Sequence, residues 1–195
     1  MCSISVESSY FSLTVVKWIL KYVHETSDFG MLYSFDMTST LVGYCDADCA
    51  GCPDDRKSTS RECFFLGNNL ISWFSKKHNC VSLSRVEADY ISARSACTQM
   101  IWMKNMLQEY GFTQKTMTLY CDNMSAIDIS RNLIQHSRIK HIDIWHHFIC
   151  ELVENKVIRL DHIRSNLQLT DIFIKPLDAN TFEYLCTRSL SHLTP

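Results

Sequence analysis

The chain has 195 residues, 46% of them hydrophobic and 21% charged, with a formal net charge of -2. That balance fills one domain with an appendage and excludes an intrinsically disordered chain. The charge argues against a free-standing high-affinity nucleic-acid binder, which is usually basic, and no run approaches the ~18 apolar residues of a membrane span. An enzyme that meets nucleic acid while tethered to another domain remains open. Ten cysteines are scattered along the chain, and its first residues lack a basic leader and an apolar stretch before a cleavage site. Thiols in a reducing compartment are therefore expected, not a disulfide framework.

In chain order, residues 12–23 carry apolar side chains at helical spacing, from Leu13 and Val16 through Ile19, Leu20 and Val23. A polar break follows, then Gly30 and a possible short strand at 31–33. Residues 1–40 read as a lead-in, 41–178 as the core domain and 179–195 as a tail. The first core strand is 41–46, a run of strand formers that ends in acid. A polar, turn-rich stretch leads to strands at 62–66 and 70–74, joined by the hairpin signal Gly67-Asn68-Asn69. A long helix is expected over 84–110, with Ser84 as N-cap, Glu87 completing a capping box and Gly111 as the stop. A strand at 116–121, helices at 124–132 and 142–154, a strand at 157–163 and a last helix from 169 complete the order. The pattern βββαβααβα implies an α/β fold, a mixed sheet of three antiparallel strands and then parallel ones, covered by helices.

Four acids fall at comparable places. Asp46 ends the first core strand, Glu87 lies in the first turn of the long helix, Asp122 follows the fourth strand, and Asp171 starts the last helix. Adjacent parallel strands would bring Asp46 and Asp122 together at the carboxyl edge of the sheet, where ligand sites of open α/β sheets lie. Carboxylates so close repel one another and favour protonation unless a cation neutralises them. Two magnesium ions ~4 Å apart would do so and clamp a phosphodiester between them. Helix caps and strand-end turns account for the same four acids, so spacing alone leaves both readings open.

The motifs are more specific. Gly-Tyr-Cys-Asp-Ala-Asp (43–48), Asp-Arg-Lys-Ser-Thr-Ser (55–60), Ile-Ser-Trp-Phe-Ser-Lys-Lys (71–77) and Val-Glu-Ala-Asp-Tyr (86–90) occur in order. Ile-Trp-Met (101–103), Leu-Tyr-Cys-Asp-Asn (119–123), Lys-His-Ile-Asp-Ile (140–144) and Thr-Asp-Ile-Phe-Ile-Lys-Pro-Leu (170–177) follow. Together they resemble the ribonuclease H domain of copia-type retrotransposon Pol polyproteins, and residues 10–40 resemble the segment joining it to the reverse transcriptase. The resemblance implies a ribonuclease H-like fold, a five-stranded mixed sheet with helices on both faces. It implies hydrolysis of the RNA strand of an RNA–DNA hybrid, two Mg2+ ions with Mn2+ as a substitute, and 3′-hydroxyl and 5′-phosphate products. Asp46, Glu87, Asp122 and Asp171 match the family's metal-binding carboxylates, with Asp46 bridging both ions. His162 matches approximately a histidine that assists proton transfer or product release. The reverse transcriptase portion of the same polyprotein is the implied partner, no membrane is, and the implied location is a cytoplasmic virus-like particle. A catalytically inactive remnant and another ribonuclease H-like nuclease are the alternatives.

Candidate hybrid contacts are Asn123 and residues 58–60, Ser58 among them, because the 2′-hydroxyl tells RNA from DNA. Lys76 and Lys77, beside the active edge, would position phosphate without reading sequence. Departures from the family pattern are Cys49 for tryptophan, Arg61 for glycine, Arg94 for a small residue, and Thr170 and Ile174 for alanine and threonine. A glycine at 61 would supply a positive φ that arginine tolerates poorly. Cys45, Cys49 and Cys52 lack paired knuckle spacing and are read as free thiols. His136, His141, His146 and His147, with Arg138 and Lys140, read as a basic solvated helix face.

Overall fold

The structure, a computed structural model, describes residues 4–25, 27, 29, 30, 33, 35, 38, 40–52, 54–131, 143–173, 177–189, 191 and 192. Of the expected strand at 31–33 only Tyr33 is among them, and it is in no strand. Ile174, His136, His141, Arg138, Lys140 and the side chains of His146 and His147 lie outside the described residues.

A five-stranded sheet organises the fold. Its strands are β2 (Leu41–Ala47), β3 (Thr59–Leu66), β4 (Asn69–Lys77), β5 (Met117–Cys121) and β6 (Ile158–His162), in spatial order β4-β3-β2-β5-β6. The β4-β3 and β3-β2 pairs are antiparallel, and the β2-β5 and β5-β6 pairs are parallel, as the sequence predicts. The hairpin turn is where Gly67 and Asn68 place it, and Gly67 takes the left-handed conformation at φ 61°. Away from this sheet, α1 (Ile4–Glu25) keeps Val16, Trp18, Ile19, Leu20 and Val23 exposed. The two-residue strands β1 (Phe29–Gly30) and β7 (Ser191–His192) pair with each other.

Alternation along the strands divides the core in two. On one face, Leu41, Cys45, Phe64 and Leu119 pack against α2 (Arg85–Glu109), α3 (Met124–Arg131) and α4 (Asp143–Glu154). On the other, Cys63, Phe65 and Leu70 meet Leu169 and Leu185, from the 3₁₀ turn Leu169–Phe173 and from α5 (Ala179–Ser189). The expected helix from 169 is thus a 3₁₀ turn, and α5 begins only at Ala179. Helices cover both faces, and residues of the expected tail, Leu185 and Cys186, are buried.

Helix α2 lies close on β2 because position 43 has no side chain. A Cβ there would stand 2.9 Å from Met100 Sδ, 3.0 Å from Leu119 Cδ1 and 3.3 Å from Phe64 Cδ1. Gly43→Ala is therefore expected to destabilise the fold by about 1–3 kcal/mol through overpacking. A urea midpoint equal to the wild type's would show that α2 withdraws without cost.

Candidate metal centre

Parallel pairing of β2 with β5 sets Cys45 beside Cys121, so the next residues, Asp46 and Asp122, meet at the carboxyl edge of the sheet. Helix α2 begins over that edge and contributes Asp89. One carboxylate oxygen from each of Asp46, Asp89 and Asp122 lies within 4.8 Å of the others. At that separation two carboxylates repel by about 3 kcal/mol at an effective dielectric constant of ~20.

Several contacts hold the three acids in place. Asp89, fully buried, accepts hydrogen bonds from the Ala47 backbone N–H (3.0 Å) and from Asn123 Nδ2 (2.8 Å). Burial, and then the charges of Asp46 and Asp122, push the Asp89 carboxyl up to about 6, against the pull of those two donors. Arg85 Nε stands 3.9 Å from Asp89 Oδ2 but is mostly exposed, so it offsets little. Asp122 Oδ2 accepts from Ser165 Oγ at 2.8 Å, while its buried Oδ1 accepts no hydrogen bond. Ser92 Oγ fixes the backbone beneath Asp46 by donating to its carbonyl at 2.8 Å.

Glu87, matched to a ligand by its motif, stands elsewhere. Ser84 is the N-cap of α2 and accepts from Glu87 N at 3.1 Å, while Glu87 Oε2 reaches back to Leu83 N at 2.7 Å. The Ser84 cap read from the sequence is therefore present, with the return bond of the box reaching Leu83, one residue before the cap, and Glu87 is not one of the three converging acids. Asp89 is the residue that sequence reasoning missed. It begins the buried stripe of α2, followed at helical spacing by Ser92, Ala93, Ala96 and Met100. Asp171 is buried in the 3₁₀ turn Leu169–Phe173, outside the three-acid group. His162 ends β6 in register with Cys121, exposed on the same edge.

Among the candidate substrate contacts, Asn123 bonds Asp89 and caps α3 through the Ala126 N–H (3.3 Å). It also lines a cleft of about 320 Å³ with Arg85, Asp122 and Ser165. Ser58 is wholly buried, and its hydroxyl accepts from Ala50 N at 3.1 Å. Lys77 is paired with Asp55 at 2.9 Å. Lys76 and Arg94 line a groove of about 310 Å³ between the sheet and α2. His78 is buried between the hydroxyls of Ser60 (2.7 Å) and Ser82 (3.3 Å), and burial lowers its pKa. Cys45, Cys49 and Cys52 are free thiols.

Arg61 departs from its expected conformation. Its φ is not positive, and it lies in extended β3, opposite Asp46 in the antiparallel register. Its Nη1 is 3.2 Å from Asp46 Oδ2 and its Nη2 is 3.3 Å from Asp48 Oδ2. Cross-strand neighbours stand close enough for this pairing without strain. Thr170 carries a real cost, since its buried Oγ1 has no hydrogen-bond partner.

The residues fit a divalent ion. Three carboxylates offer hard oxygen ligands, and the buried Asp122 Oδ1 has acceptor capacity that no protein group uses. Asp46, Asp89 and Asp122 would hold such an ion. No helix among the described residues is long and apolar enough to cross a membrane.

No family model matches the chain. It is 42% identical over 171 residues, 88% of its length, to the retrovirus-related Pol polyprotein from transposon TNT 1-94 of Nicotiana tabacum. It is 36% identical over 177 residues, 90% of its length, to the corresponding polyprotein from transposon RE1 of Arabidopsis thaliana. It spans only 13% and 12% of those two relatives. Among solved structures it resembles a ribonuclease H1 isolated from compost, with a TM-score of 0.50 and 10% identity, covering 66% of this chain and 86% of that one. It also resembles the N-terminal ribonuclease H domain of a Mycobacterium tuberculosis protein, with a TM-score of 0.50 and 7% identity, covering 77% of this chain and 98% of that one. The sequence relatives and the shared fold agree: the chain is a homologue of copia-type retrotransposon Pol polyproteins, and the part it represents is a ribonuclease H-like domain.

Proposed function

We propose that this domain hydrolyses the RNA strand of RNA–DNA hybrids with the help of two divalent ions, Mg2+ by preference and Mn2+ as a substitute. The convergence of Asp46, Asp89 and Asp122 within 4.8 Å carries the reading. When bound, such ions would offset charge on the scissile phosphate and lower the pKa of the attacking water.

The chain's own groups prepare that site. Asn123 and the Ala47 N–H orient Asp89, and Ser165 orients Asp122, so the oxygens are set before a ligand arrives. We assign Glu87 to the helix cap and Asp89 to the ligand set. Asp171, in a turn that packs against β2 and β3, is the acid we assign to a second ion. His162, exposed on the same edge, is assigned to proton transfer or product release. Lys76 and Arg94 offer phosphate contacts along their groove, and Asn123 faces the cleft where a ribose would lie. The partner we propose is the reverse transcriptase portion of the same polyprotein, and the location we propose is a cytoplasmic virus-like particle.

A second reading is a folded but inactive remnant. The Arg61 guanidinium on Asp46 favours it, because that contact places a cation of the chain itself among the acids. One assay separates the two. The purified chain is mixed with a hybrid carrying a labelled RNA strand, with Mg2+, with Mn2+ and with chelator. Cleavage that needs the metal and spares duplex DNA supports the first reading. A cooperatively folding chain that leaves the RNA intact with both metals supports the second, and cleavage of duplex DNA alone points to a different nuclease.

A further inference from the structure

Arg61 touches the three-acid group at hydrogen-bond distance, its Nη1 lying 3.2 Å from Asp46 Oδ2. Its side chain is only 8% exposed and that of Asp46 only 1%, so little water screens the pair. The guanidinium bridges two carboxylates, Asp46 through Nη1 and Asp48 through Nη2, while its buried Nε has no hydrogen-bond partner. Strand register fixes this arrangement, because Arg61 and Asp46 are direct partners in the β2-β3 ladder. A divalent ion bound to Asp46 needs a carboxylate oxygen at ordinary coordination distance, which is shorter than a hydrogen bond. The guanidinium holds Oδ2 while Oδ1 accepts no hydrogen bond, so guanidinium and ion would share one carboxylate and repel each other across a poorly screened gap.

We propose that Arg61 is a built-in competitor for the metal at Asp46, so that an ion binds that carboxylate more weakly while the guanidinium holds it. This rests on reading Asp46, Asp89 and Asp122 as the metal site. Asp48 supplies the retreat. Its side chain is 26% exposed, its Oδ2 already holds Nη2, and its Oδ1 is anchored by Thr59 N at 2.6 Å. A guanidinium turning toward Asp48 keeps one ion pair while it releases Asp46. Arg61 therefore weakens metal binding and does not bar it. With no metal present it supplies the positive charge that buried carboxylates need.

The test is direct Mn2+ binding to the full chain, read from the loss of the free-ion electron paramagnetic resonance signal. Arg61→Gln removes the charge and keeps hydrogen-bonding capacity, and is expected to bind Mn2+ at least about tenfold more tightly than wild type. Arg61→Lys keeps the charge and should stay close to wild type. Asp122→Asn should abolish binding in both the wild-type and the Arg61→Gln backgrounds. Equal affinities for wild type and Arg61→Gln, both lost on Asp122→Asn, would overturn the competition and leave the metal site standing. Absence of binding in every variant at millimolar Mn2+ would overturn the site itself. If Arg61→Gln does not fold, the Nε–H resonance of Arg61 in the wild-type chain gives a second reading. It should move as Mg2+ fills the site, and a resonance unmoved at saturation would reject the proposal.

Discussion

Asp89→Asn and Asp122→Asn should each lower metal-dependent cleavage of hybrid RNA by more than about a hundredfold, since even groups that only orient a metal's ligands are worth ten- to a hundredfold. Glu87→Gln should leave most of the activity. The contrast follows from where the two acids of Val86-Glu87-Ala88-Asp89-Tyr90 point. Residues two apart on a helix are separated by ~200°, so they cannot serve the same site. Glu87 is held by its cap, with Oε2 on the Leu83 N–H, and glutamine can accept that same bond. Asp89 is held among the other acids, and asparagine there removes an anionic ligand and leaves a neutral amide in its place. Circular dichroism and thermal melts should show all three variants folded. Loss of cleavage in Glu87→Gln with activity retained in Asp89→Asn would reverse the assignment. If the wild-type chain does not cleave, the same contrast is read from Mn2+ binding.

The sheet was legible because its signals are local and agree with one another. Strand formers, a Gly-Asn turn and a Ser84 cap all point to the order that forms. Asp46 and Asp122 could be paired in advance because adjacent parallel strands must bring their carboxyl ends together. Asp89 was legible in principle. Ser84 as N-cap commits Glu87 to the cap, and the small residues Ser92, Ala93 and Ala96 mark the face that presses on the sheet. Following that stripe back one turn reaches Asp89. The role of Arg61 was not legible, since it depends on a cross-strand register that brings residues 46 and 61 opposite each other. The same holds for Ser58, whose burial follows from a loop closing over it and not from any local pattern. The turn at Leu169–Phe173 reads as a helix in sequence, but a short 3₁₀ segment has the same beginning.

Glu62→Gln is expected to stabilise the domain at pH 8, by up to about 3 kcal/mol, and to do little at pH 4.5. Glu62 lies in β3, opposite Cys45 in the ladder, and is 1% exposed. Burial pushes its carboxyl from 4.5 up to about 7, and the nearby Ser95 hydroxyl and Lys76 ammonium pull it back only in part. Neither carboxylate oxygen accepts a hydrogen bond at ordinary distance and angle. The sign follows from proton binding. Between about 4.5 and 7 the folded chain holds a proton on Glu62 that the unfolded chain has released, so stability falls as pH rises through that window. Above it, the full cost of a buried charge is present. Glutamine has no such charge, so the difference between variant and wild type should grow from near zero to its plateau across the same window. Urea denaturation at pH 4.5, 6 and 8 measures it, and the comparison cancels the titration of every other group. A constant difference across the three pH values would mean that Glu62 keeps an ordinary pKa and reaches water or a partner. A domain that sits below its full stability at neutral pH would gain from anything that binds only its folded form, a divalent ion on Asp46, Asp89 and Asp122 included.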